Sequence, residues 1–217
     1  LHLNNNNIKR LDPGIFEGLS NLRCLYLQNN QIAFVPRGLF SDLLSVKYLT
    51  LQRNRLSVLG SGTFLGMISL QTLNLANNKI SQISDSTFHH LENLAYLFLE
   101  DFLSHNPIGS IHPFAFKGLN KLRYLSLKNV KLKCIAVDGF FGISNLSQLI
   151  LSYNDLENIN SRTFTLLNNL IYLQLDRNKI TKLQPEVLKP LVSLTHLQVN
   201  YNPWNCSCKM LGLLNWL

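Results

Sequence analysis

The 217-residue sequence predicts an α/β repeat solenoid, in which short units stack and share one continuous core. One frame, L-x-x-L-x-L-x-x-N-x-I-x-x-L-x-x-x-x-F-x-x-L-x-x, recurs in phase, and each copy carries a strand pattern, an Asn and a Phe at fixed positions. The steps between copies are 24 residues, with a single step of 28. The first apolar position of the frame is occupied by Leu22, Val46, Leu70, Leu94, Leu122, Leu146, Leu170 and Leu194. One unit cannot bury its own apolar side, so the units must stack.

The L-x-L segment of each copy predicts a short β-strand with one buried face. Side chains alternate along a strand, so Leu25 and Leu27 point to the core while Cys24 and Tyr26 point outward. Successive strands are about 4.8 Å apart. Outward residues at equivalent positions therefore form rows across the exposed face of the sheet.

The Asn and Phe positions predict two further ladders. An amide side chain has two donors and an acceptor, so the Asn can pair backbone groups of its own turn and of the next coil. The Asn position is filled by Asn6, Asn30, Asn54, Asn78, Asn106, Asn154, Asn178 and Asn202. The Phe position, filled by Phe16, Phe40, Phe64, Phe88, Phe116, Phe140 and Phe164, predicts a spine of stacked rings. Leu188 replaces the ring in the next copy.

Two neighbouring copies depart from the frame. The fifth carries four inserted residues around positions 101–104, and the sixth has Val130 where the frame has Asn. Valine cannot bond the turn backbone, so we expect a weaker ladder there and a change of curvature between Glu100 and Ile135. The insertion fits either a tolerated surface loop or a binding loop, because long irregular loops often carry function.

The middle of the outward rows predicts a site for a protein partner. Alternation brings four apolar or aromatic side chains together with three charged ones at the rim: Tyr96, Phe98, Tyr124 and Ile150, with Glu100, Asp101 and Lys128. Clustered exposed aromatics are typical of binding surfaces. In the alternative interpretation the inserted loop folds over these rings and forms a small satellite core.

A basic run predicts an anion-binding surface. The net charge is +8, and no Asp or Glu occurs from Phe102 through Val137. The basic side chains in or beside this run are Lys117, Lys121, Arg123, Lys128, Lys131 and Lys133. Such a patch attracts anionic polymers such as glycosaminoglycans. An ordinary solvated face is the alternative, because the frame scatters these residues over the strand, the turn and the outer side.

The repeat frame over residues 1–203, followed by Pro-Trp-x-Cys-x-Cys at 203–208, resembles the extracellular leucine-rich repeat family with typical 24-residue repeats and a cysteine-rich C-terminal cap. The resemblance implies a horseshoe with a parallel concave β-sheet and an irregular or short-helical convex side. It also implies a solenoid over 1–203 and the start of a cap over 204–217. In the family each cysteine of this pair bonds one further downstream, so Cys206 and Cys208 are expected to pair beyond this fragment. We expect the chain to continue at both ends.

The other two cysteines are predicted to be free thiols. Cys24 and Cys134 lie four strand steps apart, about 19 Å, which exceeds the ~7 Å limit between the Cα atoms of a disulfide. Asn145 and Asn205 begin sequons and are predicted glycosylation sites in a secreted chain. The cap cysteines and the sequons together favour an extracellular location.

No catalytic motif or nucleophile–base pair is found, and the glycines from Gly60 to Gly66 match a nucleotide-binding loop poorly. We therefore expect no enzyme, no cofactor, no metal site and no membrane contact by this segment. The predicted function is a protein-binding ectodomain of a receptor or adhesion protein, with a protein ligand or co-receptor as partner. The alternative is a matrix-type protein that binds heparan sulfate, and recognition of nucleic acid is disfavoured.

Overall fold

The computed structural model describes residues 1–85, 87–101 and 106–205, and within them it contains ten β-strands and one short helix. The strands and the helix are β1 Cys24–Tyr26, β2 Tyr48–Thr50, β3 Thr72–Asn74, β4 Tyr96–Phe98, β5 Ser110–Ile111, β6 Tyr124–Ser126, β7 Cys134–Ile135, β8 Gln148–Ile150, β9 Tyr172–Gln174, α1 Pro185–Leu188 and β10 His196–Gln198. Eight of the strands form one sheet in the order β1-β2-β3-β4-β6-β8-β9-β10.

The main sheet is parallel throughout and its register follows the frame. Leu25 lies level with Leu49, and Leu97 with Leu125, although four inserted residues separate the latter two repeats. The central leucine of every strand of the main sheet except β10 is buried. The predicted solenoid with a parallel sheet is confirmed.

A second, two-stranded parallel sheet was not predicted. It pairs Ser110 with Cys134 and Ile111 with Ile135, in the two repeats that depart from the frame. The main sheet crosses this region without a change of register, while the expected change of curvature stays a prediction.

The phenylalanine spine is confirmed. The ring centroids of Phe16 and Phe40 lie 6.0 Å apart, and those of Phe88 and Phe116 lie 6.3 Å apart with nearly parallel planes. Leu188, at the end of α1, fills the same position and is fully buried. These side chains join the strand leucines in one core that runs along the solenoid.

The asparagine ladder is also confirmed, and it shows which neighbour each amide binds. The side-chain oxygen of Asn78 accepts the backbone N–H of Leu56, in the preceding repeat, at 3.0 Å. Its Nδ2 donates to the carbonyl oxygens of Leu51 and Leu75, each at 3.0 Å. The amide thus joins its own turn to the preceding coil, whereas the sequence had suggested the following one.

Asn106 extends this ladder past the insertion. Its side chain accepts the N–H of Ile80 at 3.0 Å and donates to the carbonyl oxygens of Leu75 and Leu99, each at 3.1 Å. Its backbone N–H donates to the Asp101 carboxylate at 2.8 Å, so that Asp101 joins the two ends of the loop. Residues 102–105 lie outside the described residues, and the role of the loop stays a prediction.

Cys24 and Cys134 are free thiols, as predicted, and they belong to different sheets. Cys206, Cys208 and most of the expected cap lie outside the described residues. The described part of the cap begins with Trp204, whose indole Nε1 donates to the carbonyl oxygen of Val199 at 2.9 Å and whose ring packs against the core. The disulfide prediction therefore stays a prediction.

Candidate functional site: an aromatic cluster on the concave sheet

Three aromatic side chains meet on the outward side of β4 and β6. Tyr96 and Tyr124 are in register, with 6.4 Å between ring centroids, and Phe98 lies 5.0 Å from Tyr124. The strand leucines on either side point to the core, so alternation directs these rings outward. Tyr96 is 45% exposed, and Phe98 and Tyr124 are half-buried. We call Tyr96, Phe98 and Tyr124 the central cluster.

The phenol of Tyr124 is held in its neutral form by its surroundings. Burial raises its pKa most, and the negative charge of Glu100 and the neighbouring Tyr172 raise it further, while a hydrogen bond with Ser126 lowers it. The Ser126 hydroxyl also donates to the Glu100 carboxylate. The Glu100 carboxylate beside the rings and the neutral hydroxyl of Tyr124 are therefore polar groups that can orient a ligand.

Two side chains predicted for this site are less available than expected. Asp101, predicted at the rim, is only 1% exposed, because its carboxylate turns inward to bind the N–H of Asn106. Ile150 lies beside Ser126 in register but is 7% exposed, so it supports the floor of the surface rather than forming part of it. The expectation that both side chains are exposed is wrong, and their part in binding a partner stays a prediction.

Lys128 contacts an aromatic ring outside the cluster. Its Nζ lies 4.9 Å from the centroid of the Tyr153 ring, towards the next repeat. Of the predicted rim residues, Glu100 lies beside the aromatic rings, because its carboxylate accepts the hydroxyl of Ser126, which is in register with Phe98.

The predicted anion-binding residues do not converge on one patch. Lys121 and Arg123 precede β6 and line a lateral groove, where Lys121 Nζ donates to the Asn93 side chain at 2.7 Å. Lys128, Lys131 and Lys133 follow β6, on the opposite side of the sheet. Lys117 comes directly after the spine residue Phe116 and is exposed on the convex side. An anion-binding role for the six residues stays a prediction.

The two sequon asparagines are both exposed. Asn145 lines the lateral groove and its Nδ2 donates to the carbonyl oxygen of Asn120 at 2.7 Å. Asn205 is the last described residue, and its backbone N–H donates to the carbonyl oxygen of Thr181 at 2.9 Å. Their glycosylation stays a prediction.

Sequence reasoning missed a second group of exposed aromatics at the carboxyl edge of the main sheet. The guanidinium of Arg177 lies over the rings of Tyr153 and Tyr201, with 4.9 Å and 4.2 Å from its Cζ to the ring centroids. The three residues occupy one frame position, three residues past the last strand residue. The sequence does contain a signal for this group, because most other repeats have Asn at the position where Tyr153, Arg177 and Tyr201 stand. The period-two pattern of the strand does not extend to this position, so it does not predict the direction of these side chains.

Within the described part of the chain, no three His, Cys, Asp or Glu side chains come together as a metal site would require. No helix among residues 1–85, 87–101 and 106–205 is long and apolar enough to cross a bilayer.

The family model for the leucine rich repeat matches residues 1–56, 44–101, 102–156 and 144–203. With the parallel sheet, the asparagine ladder and the buried leucines, this match shows that the chain belongs to the leucine-rich repeat family. A curated relative, the human leucine-rich repeat-containing protein 70, is 70% identical over 33 residues, which are 15% of this chain and 5% of that protein. The match thus spans a small part of the relative's length.

Solved structures share this fold over most or nearly all of the chain. The chain is similar to the FLRT2 repeat chain in an octameric complex with Latrophilin 3 and Unc5D, with a TM-score of 0.82 and 27% identity over 99% of this chain and 64% of that one. The structure of human trophoblast glycoprotein (5T4) has a TM-score of 0.78 and 26% sequence identity, over 98% of this chain and 80% of that one. A TLR13–ssRNA13 complex gives 0.74 and 26% over 89% of this chain and 34% of that chain. The fold is therefore one that other chains use in complexes with proteins and with RNA.

Proposed function

We propose that the chain is a protein-binding module of an extracellular or cell-surface protein, a receptor or an adhesion molecule, that uses the concave sheet to bind a protein ligand or co-receptor. The observation that carries this proposal is the central cluster. Three aromatic rings are gathered on an outward-facing sheet next to a carboxylate, and one of them, Tyr96, is 45% exposed. Aromatic residues dominate the energetics of protein interfaces when they lie near the centre of the contact.

The shape of the module supports this proposal. Repeat solenoids present extended concave surfaces, and side chains on parallel strands stand in rows that a protein surface can span. A similar chain, the FLRT2 repeat chain, was solved in an assembly with two other proteins. The chain would act by binding rather than catalysis, and the proposal requires no cofactor.

The extracellular location is part of the proposal. It is supported by the sequons at the exposed Asn145 and Asn205 and by the Cys206–Cys208 segment, whose pattern resembles a cap that is oxidised in secreted relatives. Among cell-surface members of the family, we further propose that the chain is a near relative of synleurin.

The proposed function is tested by a binding screen. The chain is secreted from animal cells as a soluble dimeric fusion and applied to an array of extracellular and cell-surface proteins. We expect saturable binding to at least one folded protein, with the fusion partner alone as control. The absence of any saturable binder, or binding only to enzyme substrates that the chain converts, would overturn the proposal.

The alternative function is binding of heparan sulfate through the basic run, favoured by the net charge of +8. On a heparin column, replacement of Lys128, Lys131 and Lys133 by Ser should then lower the eluting salt concentration more than replacement of Lys79, Lys182 and Lys189. Equal shifts for the two sets would mean that only net charge matters.

A further inference from the structure

The carboxyl edge of the main sheet changes its chemistry along the solenoid. At one frame position the residues all have a positive φ, from 53° to 59°: Asn5, Asn29, Arg53, Asn77, Asn129, Tyr153, Arg177 and Tyr201. In the first repeats this position forms an amide ladder, in which Asn29 Nδ2 donates to the Asn5 side-chain oxygen at 2.7 Å. In the last repeats it forms the stack Tyr153–Arg177–Tyr201. We call these three residues, together with Lys128 on the other side of Tyr153, the edge ladder.

Tyrosine is an unexpected residue at this position. A bulky side chain disfavours the left-handed conformation, whereas Asn adopts it readily. The tyrosines are also poorly covered, since Tyr153 is 43% and Tyr201 is 69% exposed. Local strain and exposed aromatic area both oppose the folded state, so the packing of the solenoid does not explain these residues.

The stack fixes the guanidinium in place. Both faces of Arg177 are covered by aromatic rings, which favours a cation electrostatically and restricts its side chain. Within the described part of the chain Arg177 forms no ion pair. The planar edge of the guanidinium, with its fork of N–H donors, is therefore oriented for a carboxylate from outside.

The acidic groups near Arg177 are engaged elsewhere. Asp155 is paired with Lys179 at 2.7 Å. Asp176 is 8% exposed, and its carboxylate accepts the Ser152 hydroxyl at 2.6 Å. The ladder thus alternates cations and aromatic rings in the order Lys128, Tyr153, Arg177, Tyr201.

We propose that the edge ladder is a second binding surface, which takes an acidic polypeptide segment of a partner protein. Acidic side chains of the segment bind Arg177, and its apolar side chains cover the exposed rings of Tyr153 and Tyr201. The alternation favours a polypeptide over a sulfated polysaccharide, because a polysaccharide has no apolar side chains to place on the rings. Tyr and Arg are also the residues enriched at energetic centres of protein interfaces.

The chain contains a matched control for this surface. Arg53 occupies the same frame position with the same φ of 53° and is exposed, but its neighbours in the row are Asn29 and Asn77. Replacement of Arg53 or of Arg177 removes the same charge from the same backbone conformation, so that the two variants differ only in the neighbours of the arginine. Replacement of the tyrosines by Asn restores the residue that the frame uses elsewhere, so these variants keep the fold.

The test measures fluorescence anisotropy of a labelled ten-residue peptide of alternating Glu and Tyr, with a Lys–Tyr peptide of equal length as the charge-reversed control. We expect the wild-type chain to bind the acidic peptide, and we expect Arg177→Gln and the double variant Tyr153→Asn/Tyr201→Asn each to weaken binding roughly fivefold or more. Arg53→Gln should weaken it by less than about twofold. Circular dichroism of every variant checks the fold.

Three results would overturn the inference. They are an absence of saturable binding to the acidic peptide, an equal loss for Arg53→Gln and Arg177→Gln, and binding of a heparin fragment that depends on Arg177 while peptide binding does not. The edge ladder lies outside the central cluster, so failure of this test would leave the proposed function of that cluster unaffected.

Discussion

The side-chain oxygen of Asn154 accepts a hydrogen bond from the backbone N–H of Val130 at 2.9 Å, in addition to the bond of 3.0 Å that it accepts from Leu132. At a regular position the frame Asn accepts one such bond, as Asn178 does from Leu156. Asn154 thus takes on an extra backbone donor in the repeat that lacks its own frame Asn. The asparagine ladder, which was expected to be weak at Val130, is thus bridged there by Asn154 of the following repeat.

Substitution Val130→Asn should therefore destabilise the protein. Val130 is fully buried, and the backbone N–H that a frame Asn would accept at this position, that of Ile108, already donates to the carbonyl oxygen of Asn106 at 2.9 Å. The turn is also irregular, since Lys131 has a positive φ of 57°. We expect a loss of about 1–3 kcal/mol in the free energy of unfolding, because the oxygen of the new amide would be buried without a donor. A urea denaturation midpoint that is unchanged or raised would contradict this account, and Val130→Ile controls for packing.

The substitution Asn78→Ala should lower stability by about 1–3 kcal/mol, because it leaves the buried backbone N–H of Leu56 without an acceptor and removes one bond each from the carbonyl oxygens of Leu51 and Leu75. Asn6→Ala is the control, since Asn6 fills the same frame position but is exposed and donates only to carbonyl groups of its own turn. Thermal melts of the two variants measure the difference. If they melt at the same temperature, the ladder does not stabilise the solenoid.

The substitution Gly66→Ala should be far more damaging than Gly18→Ala, although both glycines have positive φ and share one frame position. A Cβ on Gly66 would lie 2.3 Å from the carbonyl oxygen of Ser41, whereas a Cβ on Gly18 meets nothing within 4 Å. Gly18→Ala should therefore cost only the backbone strain, about 1–2 kcal/mol. Comparable denaturation midpoints for the two variants would show that the repeats do not approach as closely as described.

The phenol of Tyr124 should titrate above its ordinary value near 10, because burial and the Glu100 carboxylate raise its pKa. The folded state then binds the proton more tightly than the unfolded state, so this contribution to stability is present below pH ~10 and is lost as pH rises through the folded pKa. Ultraviolet absorbance of the phenolate, with Tyr124→Phe subtracted, gives the pKa. In the Glu100→Gln variant the pKa of Tyr124 should fall part of the way towards its ordinary value. If the pKa is the same in that variant as in the wild type, the charge of Glu100 does not act on Tyr124.

The periodic parts of the molecule could be predicted from the sequence. Period-two alternation in the strands identified the outward direction of Tyr96 and Phe98, and the 24-residue step identified which rings stack in the spine. Both follow from backbone geometry, which repeats from unit to unit.

The parts that the sequence did not predict depend on single, non-periodic hydrogen bonds or turn conformations. The carboxylate of Asp101 turns inward and binds the backbone N–H of Asn106 across the insertion. Tyr153 and Tyr201 follow a strand by three residues, in a left-handed turn where alternation no longer gives the side-chain direction. The two-stranded sheet of β5 and β7 likewise has no counterpart in the regular repeats.

The central claim is that a protein partner docks on Tyr96 and Phe98, and the most direct test is its dissociation constant for variants of the concave sheet. Tyr48 is the matched control, because it fills the frame position of Tyr96 on β2 and is half-buried. Gln198, which is exposed on β10, controls for the far end of the sheet. For a partner found in the array screen, surface plasmon resonance should show roughly tenfold or greater weakening for Tyr96→Ala and Phe98→Ala, and less than about twofold for Tyr48→Ala and Gln198→Ala. Equal losses in the two pairs, with all four proteins folded, would contradict the claim.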